Sequence, residues 1–106
     1  MDMFNKLINT LLTVTDNVGH YEAFKETDQY IVWAEDGQGA SLYADGVMKN
    51  QSVTGTVDYF TTVEGDENYN KIQNALKNAE IPFKLNSIQY EEDTGYIHYE
   101  WVWEMI

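Results

Sequence analysis

Hydrophobic and polar positions are patterned most clearly in the second half of the chain. From Val53 to Val63, the residues Val53, Val57, Tyr59 and Val63 share one side of an extended backbone. Thr54, Thr56, Asp58 and Thr62 share the other, with Phe60 as the exception. This pattern predicts a half-buried strand. From Asp66 to Ala79, the residues Ile72, Ala75, Leu76 and Ala79 recur at the spacing of one helical stripe, and Asp66 is placed to accept bonds from the first free backbone amides. Pro82 then discourages continuation of that helix. Between Pro82 and Ile106, two aromatic-rich runs flank Glu92-Asp93-Thr94-Gly95, where Gly95 suits the positive φ of a short hairpin loop ending in a bulge. The last run sets Ile97, Tyr99, Trp101, Trp103 and Met105 against His98, Glu100 and Glu104, so the first set is expected to be buried.

The first half is less regular. Met3, Leu7, Leu11 and Val14, widened by Phe4, Ile8 and Leu12, predict an amphipathic helix from Asp2 to about Thr15 with Asp2 at its N-terminal cap. Thr15 to Gln29 is polar, and Tyr21, Ala23 and Phe24 are expected to pack as the chain crosses to the first strand. That strand is Tyr30 to Ala34, ending at a turn signal in Glu35-Asp36-Gly37-Gln38-Gly39. Leu42 to Met48 fits either a short strand around Asp45-Gly46 or an irregular arm, and an arm with some pairing is the favoured reading. No segment repeats at a fixed period, which removes solenoids and propellers. The predicted fold is α+β, a mainly antiparallel sheet of about four or five strands with two helices packed largely on one face. It forms a single domain over residues 1–106.

Charge alters this picture more than length does. Eighteen acidic residues against six lysines and no arginine give a net charge of −12, which repels a phosphate backbone and lacks the bidentate group best suited to grip it. Direct nucleic-acid binding is therefore not expected. Absence of cysteine removes disulfides, thiolate nucleophiles and cysteine-zinc sites together. With no basic flank or cleavage site at the N-terminus and no apolar run near the ~20 residues of a membrane span, a soluble intracellular protein is expected.

Candidate chemistry is sparse. His20 and His98 have no HExxH spacing. His98, beside several carboxylates, is the one acid–base candidate, and it needs a surrounding pocket to act. The carboxylates at Glu35-Asp36, Glu64-Gly65-Asp66-Glu67 and Glu91-Glu92-Asp93 lack the ligand spacing of a calcium loop, and the second group is explained by helix capping. Gly37-Gln38-Gly39 is not a nucleotide cradle, and Ser41, Ser52 and Ser87 sit in no nucleophile elbow. The expectation is a non-enzyme with no catalytic residues, no cofactor and no bound metal.

Leu42-Tyr43-Ala44-Asp45, the strand Val53-Thr54-Gly55-Thr56-Val57-Asp58-Tyr59-Phe60-Thr61, the helix after it, and Ile81-Pro82-Phe83 leading into the final hairpin together resemble small tail proteins of bacteriophages and prophages of Gram-positive bacteria, in the tail-terminator or tail-completion class. The resemblance covers residues 30 to 106. It implies a subunit that assembles with other copies of itself into a ring, commonly a hexamer, capping the tail tube and helping to join it to the head. Its partners would be tail-tube and head–tail connector proteins, and its location the host cytoplasm during assembly and then the virion tail. By position, the arm from Glu35 to Gln51 is the expected docking segment, with Glu35, Asp36, Gln38, Leu42, Tyr43 and Asp45 as its candidate contact residues. The competing reading is an acidic monomeric binding or inhibitor protein that occupies a basic site on a partner.

Overall fold

The computed structural model describes residues 2–39, 42–44, 47–50 and 52–106. In chain order the elements are α1 (Asp2–Leu12), β1 (Val18–His20), β2 (Gln29–Gln38), β3 (Leu42–Ala44), β4 (Val47–Asn50), β5 (Val53–Thr61), α2 (Asn68–Asn78), β6 (Phe83–Glu91) and β7 (Tyr96–Met105). Five strands form one sheet in the order β1-β2-β5-β7-β6, and β3 and β4 form a separate two-stranded ribbon. Every pair in the large sheet is antiparallel except β1 with β2. This is the α+β architecture that the periodicity predicts. The molecule measures 50 × 25 × 22 Å.

Both helices bury their stripes against one face of the sheet. Leu7 and Leu11 of α1 and Ile72 and Leu76 of α2 join Ile31, Trp33, Val57, Tyr59, Trp101, Trp103 and Met105 in one continuous core. The alternation along β5 and β7 therefore assigns the inner face correctly. Val63 and Ile97 are exceptions: β5 ends at Thr61 and Val63 lies 48% exposed beyond it, and Ile97, expected to be buried, is half-buried and outside that core. Helix α1 stops earlier than its apolar spacing suggests. Thr10 Oγ1 donates to the Lys6 carbonyl at 2.7 Å and Thr13 Oγ1 to that of Thr10 at 2.6 Å, and Val14 N closes a tighter turn onto Leu11 O.

Three parts of the first half differ from expectation. Residues 15–29 contain a strand, β1, and Tyr21 and Phe24 do not pack inward but stand 62% and 66% exposed. The segment is held instead by polar contacts, most of them from Asn17. Asn17 Nδ2 lies within bonding distance of the carbonyl oxygens of Lys25 and Gln29 and of Thr27 Oγ1, and Asn17 Oδ1 accepts from Lys25 N. The second difference is that β2 runs straight through the expected turn at Glu35 to Gly39. The register shifts between Glu35 and Gly37, leaving Asp36 as the extra residue of a bulge, its carboxylate accepting from Thr54 Oγ1 at 2.9 Å. The third is that Leu42 to Ala44 pairs antiparallel with Val47 to Asn50, so the region between β2 and β5 is a paired ribbon more than an irregular arm.

Candidate functional site

The sheet face opposite the helices carries the main concentration of chemistry. Strands β5 and β7 pair so that Asp58 lies directly across from Glu100, and Phe60 across from His98. Two like charges opposed on one face are unfavourable unless something is placed between them. Here His98 supplies that group, its Nε2 standing 2.7 Å from Asp58 Oδ1. Glu100 Oε1 accepts from Asn86 Nδ2 at 2.7 Å. Asn86 can reach across because β6 shifts register between Leu85 and Ser87, leaving Asn86 unpaired in the ladder. On the other side of the imidazole, Nδ1 lies 3.9 Å from Glu91 Oε2.

Packing fixes the plane of the imidazole. His98 stacks on Phe60 with ring centres 4.2 Å apart, and Phe60 stacks on Tyr30 at 4.7 Å. Tyr96 meets both Tyr30 and Phe60 edge-on, and its hydroxyl donates to the Thr27 carbonyl at 2.6 Å. The hydrogen bond to Asp58 raises the His98 pKa above its ordinary value. Burial opposes that rise, while the charges of Asp58, Glu91 and Glu100 reinforce it. Ligand atoms of Asp58, His98 and Glu100 all lie within 4.8 Å of one another, and all three residues are half-buried. Among the described residues no serine or threonine hydroxyl bonds to His98, so the cluster holds a proton between acids without a nucleophile attached.

Two other clusters are structural. His20 Nε2 lies 2.6 Å from Glu35 Oε1, and its ring stacks on Trp33 at 3.8 Å and on Tyr21 at 4.2 Å. The Tyr21 hydroxyl and the His20 ring hold the Glu35 carboxyl at about 2. Asp66 is buried, and its Oδ2 accepts from Tyr59, Thr61 and Gln29 at 2.5, 2.7 and 2.7 Å, while Oδ1 accepts from Asn68 N at 2.8 Å. Burial works to raise the pKa of Asp66, but these four donors outweigh it and lower it. Burial and the Asp66 acceptor push the Tyr59 hydroxyl up to about 12. Asp66 thus does accept from the start of α2, and it also joins that helix to β2 and β5.

The candidate docking residues are divided by the structure. Glu35, Asp36 and Gln38 belong to β2 in the main sheet, Leu42 and Tyr43 to the ribbon strand β3, and Asp45 lies outside the described residues. Glu35 and Asp36 already have partners within the chain. His98, named from sequence as the acid–base candidate, is instead brought together with Asp58 and Glu100. The alternation His98-x-Glu100, and Asp58 on the polar side of its strand, place these residues on suitable faces, but only the β5–β7 register makes them neighbours. A groove of about 600 Å³ lined by Lys6, Glu80, Ile81, Pro82, Glu104, Met105 and Ile106 lies apart from this cluster and is largely apolar. Among the described residues no helix is long and apolar enough to cross a membrane. No protein-family model and no curated protein sequence matches the chain.

Proposed function

We propose that this protein is a structural subunit of a phage or prophage tail, of the terminator or completion type, that works by assembling with copies of itself at the end of the tail tube and helping to join it to the head. The observation that carries this reading is the β3–β4 ribbon, which among the described residues forms a two-stranded sheet of its own between β2 and β5 in the chain. A two-stranded hairpin alone is marginally stable, and elements that run out from a sheet between its strands are suited to contacts with a neighbour. Strand β6 adds a second surface for assembly. It is an edge strand with Ile88 and Tyr90 exposed at 54% and 65%, and unpaired edges with apolar side chains favour association. A ribbon meeting a different patch on the next copy is a heterologous contact, which closes into a ring when the rotation allows. A net charge of −12 suits a protein beside a DNA conduit, because it does not retain passing DNA.

The test uses a trimmed chain. Gly39 N donates to Ser52 O at 3.1 Å, so the ends of β2 and β5 are close enough to join directly. Replacing residues 40–51 with Asn-Gly is expected to leave the five-stranded sheet folded while abolishing ring formation on tail tubes. Electron microscopy of tails made with no protein, with the full chain and with the trimmed chain is the measurement. Tubes of regulated length that still join heads without the protein would sink the proposal. A second reading, an acidic inhibitor of a basic partner, is favoured by the carboxylates Asp36, Asp58, Glu100 and Glu104 in the strands of the main sheet. It predicts a monomer at all concentrations by light scattering, both alone and with tail tubes.

A further inference from the structure

We infer that Asp58, His98 and Glu100 form a binding site for a divalent transition-metal ion of the zinc class. The inference is independent of the assembly reading, and it departs from the expectation of no metal drawn from sequence spacing alone. Three features of the cluster are those a metal site needs. One imidazole and two carboxylates offer ligand atoms within 4.8 Å of one another. Zinc ligands at about 2.0–2.2 Å from the ion stand about 3.3 Å apart in a tetrahedron, so His98 Nε2 and Asp58 Oδ1, now 2.7 Å apart, must part by roughly 0.6 Å to admit the ion, while Glu100 draws in by at most about 1.5 Å, within reach of its flexible side chain. The ligands come from adjacent strands, with Asp58 opposite Glu100 and His98 two residues before it on the same face. Backbone pairing therefore holds the triad before any ion arrives.

The surroundings are also those that orient metal ligands. Histidine ligands commonly direct their second ring nitrogen at a carboxylate, and carboxylate ligands are themselves hydrogen-bonded. Here Glu91 stands 3.9 Å from Nδ1 of His98, and Asn86 donates to one oxygen of Glu100 while the other remains for an ion. Stacking on Phe60 fixes the ring plane. Coordination through Nε2 requires that nitrogen to be unprotonated: an imidazolium releases its Nε2 proton to solvent and keeps the one on Nδ1, toward Glu91, and the ion takes the place of the hydrogen bond now made to Asp58. A dication also neutralises the opposed charges of Asp58 and Glu100, which hard cations such as magnesium would do less well because an imidazole nitrogen suits zinc, copper or nickel. The sheet face leaves a further coordination position open to water or to a donor from another molecule.

The experiment is titration of tag-free protein with zinc chloride by calorimetry, together with the visible absorption of bound cobalt. One ion per chain is expected, with affinity falling by about 10-fold or more in His98→Gln and in Glu100→Gln. Millimolar magnesium should not compete. Glu91→Gln, which removes an orienting group and no ligand, should weaken binding less than either. Circular dichroism checks that the variants fold. Should they not fold, nitrogen-15 NMR of the wild-type imidazoles decides. Zinc should shift the Nε2 resonance of His98 and leave His20, paired with Glu35, unchanged. Absence of zinc binding, binding that the His98 and Glu100 substitutions leave intact, or a shift confined to His20 would each overturn the inference.

Discussion

At Gly55 the chain has no room for a side chain. A Cβ there would stand 2.1 Å from the Ala34 carbonyl oxygen and 2.3 Å from Cζ2 of Trp103, whose indole lies over the glycine in the neighbouring strand. Gly55→Ala is therefore expected to destabilise the fold by roughly 1–3 kcal/mol, because the backbone ladder and a buried ring must both move. Urea denaturation measures the loss, and a change below ~0.5 kcal/mol would show that Trp103 repacks freely. Asp66 gives a prediction in pH. Its folded pKa is lowered from 3.8, so its contribution is complete above that value and disappears as pH falls through the folded pKa. Asp66→Asn should lower stability at neutral pH by about 1–3 kcal/mol and flatten the acid limb of the stability profile below pH 3.8. An unchanged acid limb would count against the network. The inward direction of Trp101 and Trp103 was legible from alternation. The role of Asp66 was legible only in part, since its donors Gln29 and Tyr59 reach it through tertiary pairing.

Among the elements, those with a strong period were the readable ones. The β6–β7 hairpin forms where Glu92 to Gly95 predicts it, with Gly95 at φ 78° and its amide donating to Glu91 O at 2.8 Å. Strand β1 has no such period: its three residues include a glycine and a histidine, and its location depends on Asn17. The extension of β2 was hidden by the same residues, Asp36 and Gly37, that make its bulge, because bulge and turn use similar chemistry. Asn17→Ala is expected to release the segment between β1 and β2 without unfolding the main sheet. Hydrogen exchange would then show the amides of Lys25 and Val18 to His20 losing protection while those of β5 and β7 keep it. Uniform loss across all strands would mean that β1 is integral to global stability.

For the molecule as a whole, charge gives the firmest expectation about partners. With six lysines against eighteen acids and no arginine, binding to duplex DNA at physiological salt is expected to be undetectable. Saturable, salt-dependent binding at micromolar protein in a fluorescence anisotropy assay would refute this. The α+β class was readable because both helices and the strands β5 and β7 carry their burial pattern locally, while β2 and β6 are marked by apolar and aromatic content. The candidate site was not, because Asp58 and His98 are separated by a helix and a strand in sequence and become neighbours only through register.

That register also governs how the chain must fold. Strand β5 sits between β2 and β7, and its partners Ile97 to Met105 are made only after α2 and β6. Its pairing with β7 is not local, so closing the intervening segment carries an entropic cost before that pairing is gained. The β6–β7 hairpin, tied by a short loop, is the natural early structure, and docking of β5 onto it is the slow step. Refolding in stopped-flow is then expected in milliseconds to seconds. Gly95→Ala should slow refolding more than it speeds unfolding, and the reverse result would place β5 ahead of the hairpin. A chain still emerging from the ribosome would hold β2 and β5 without β7, one long edge of its sheet uncovered until that strand is made.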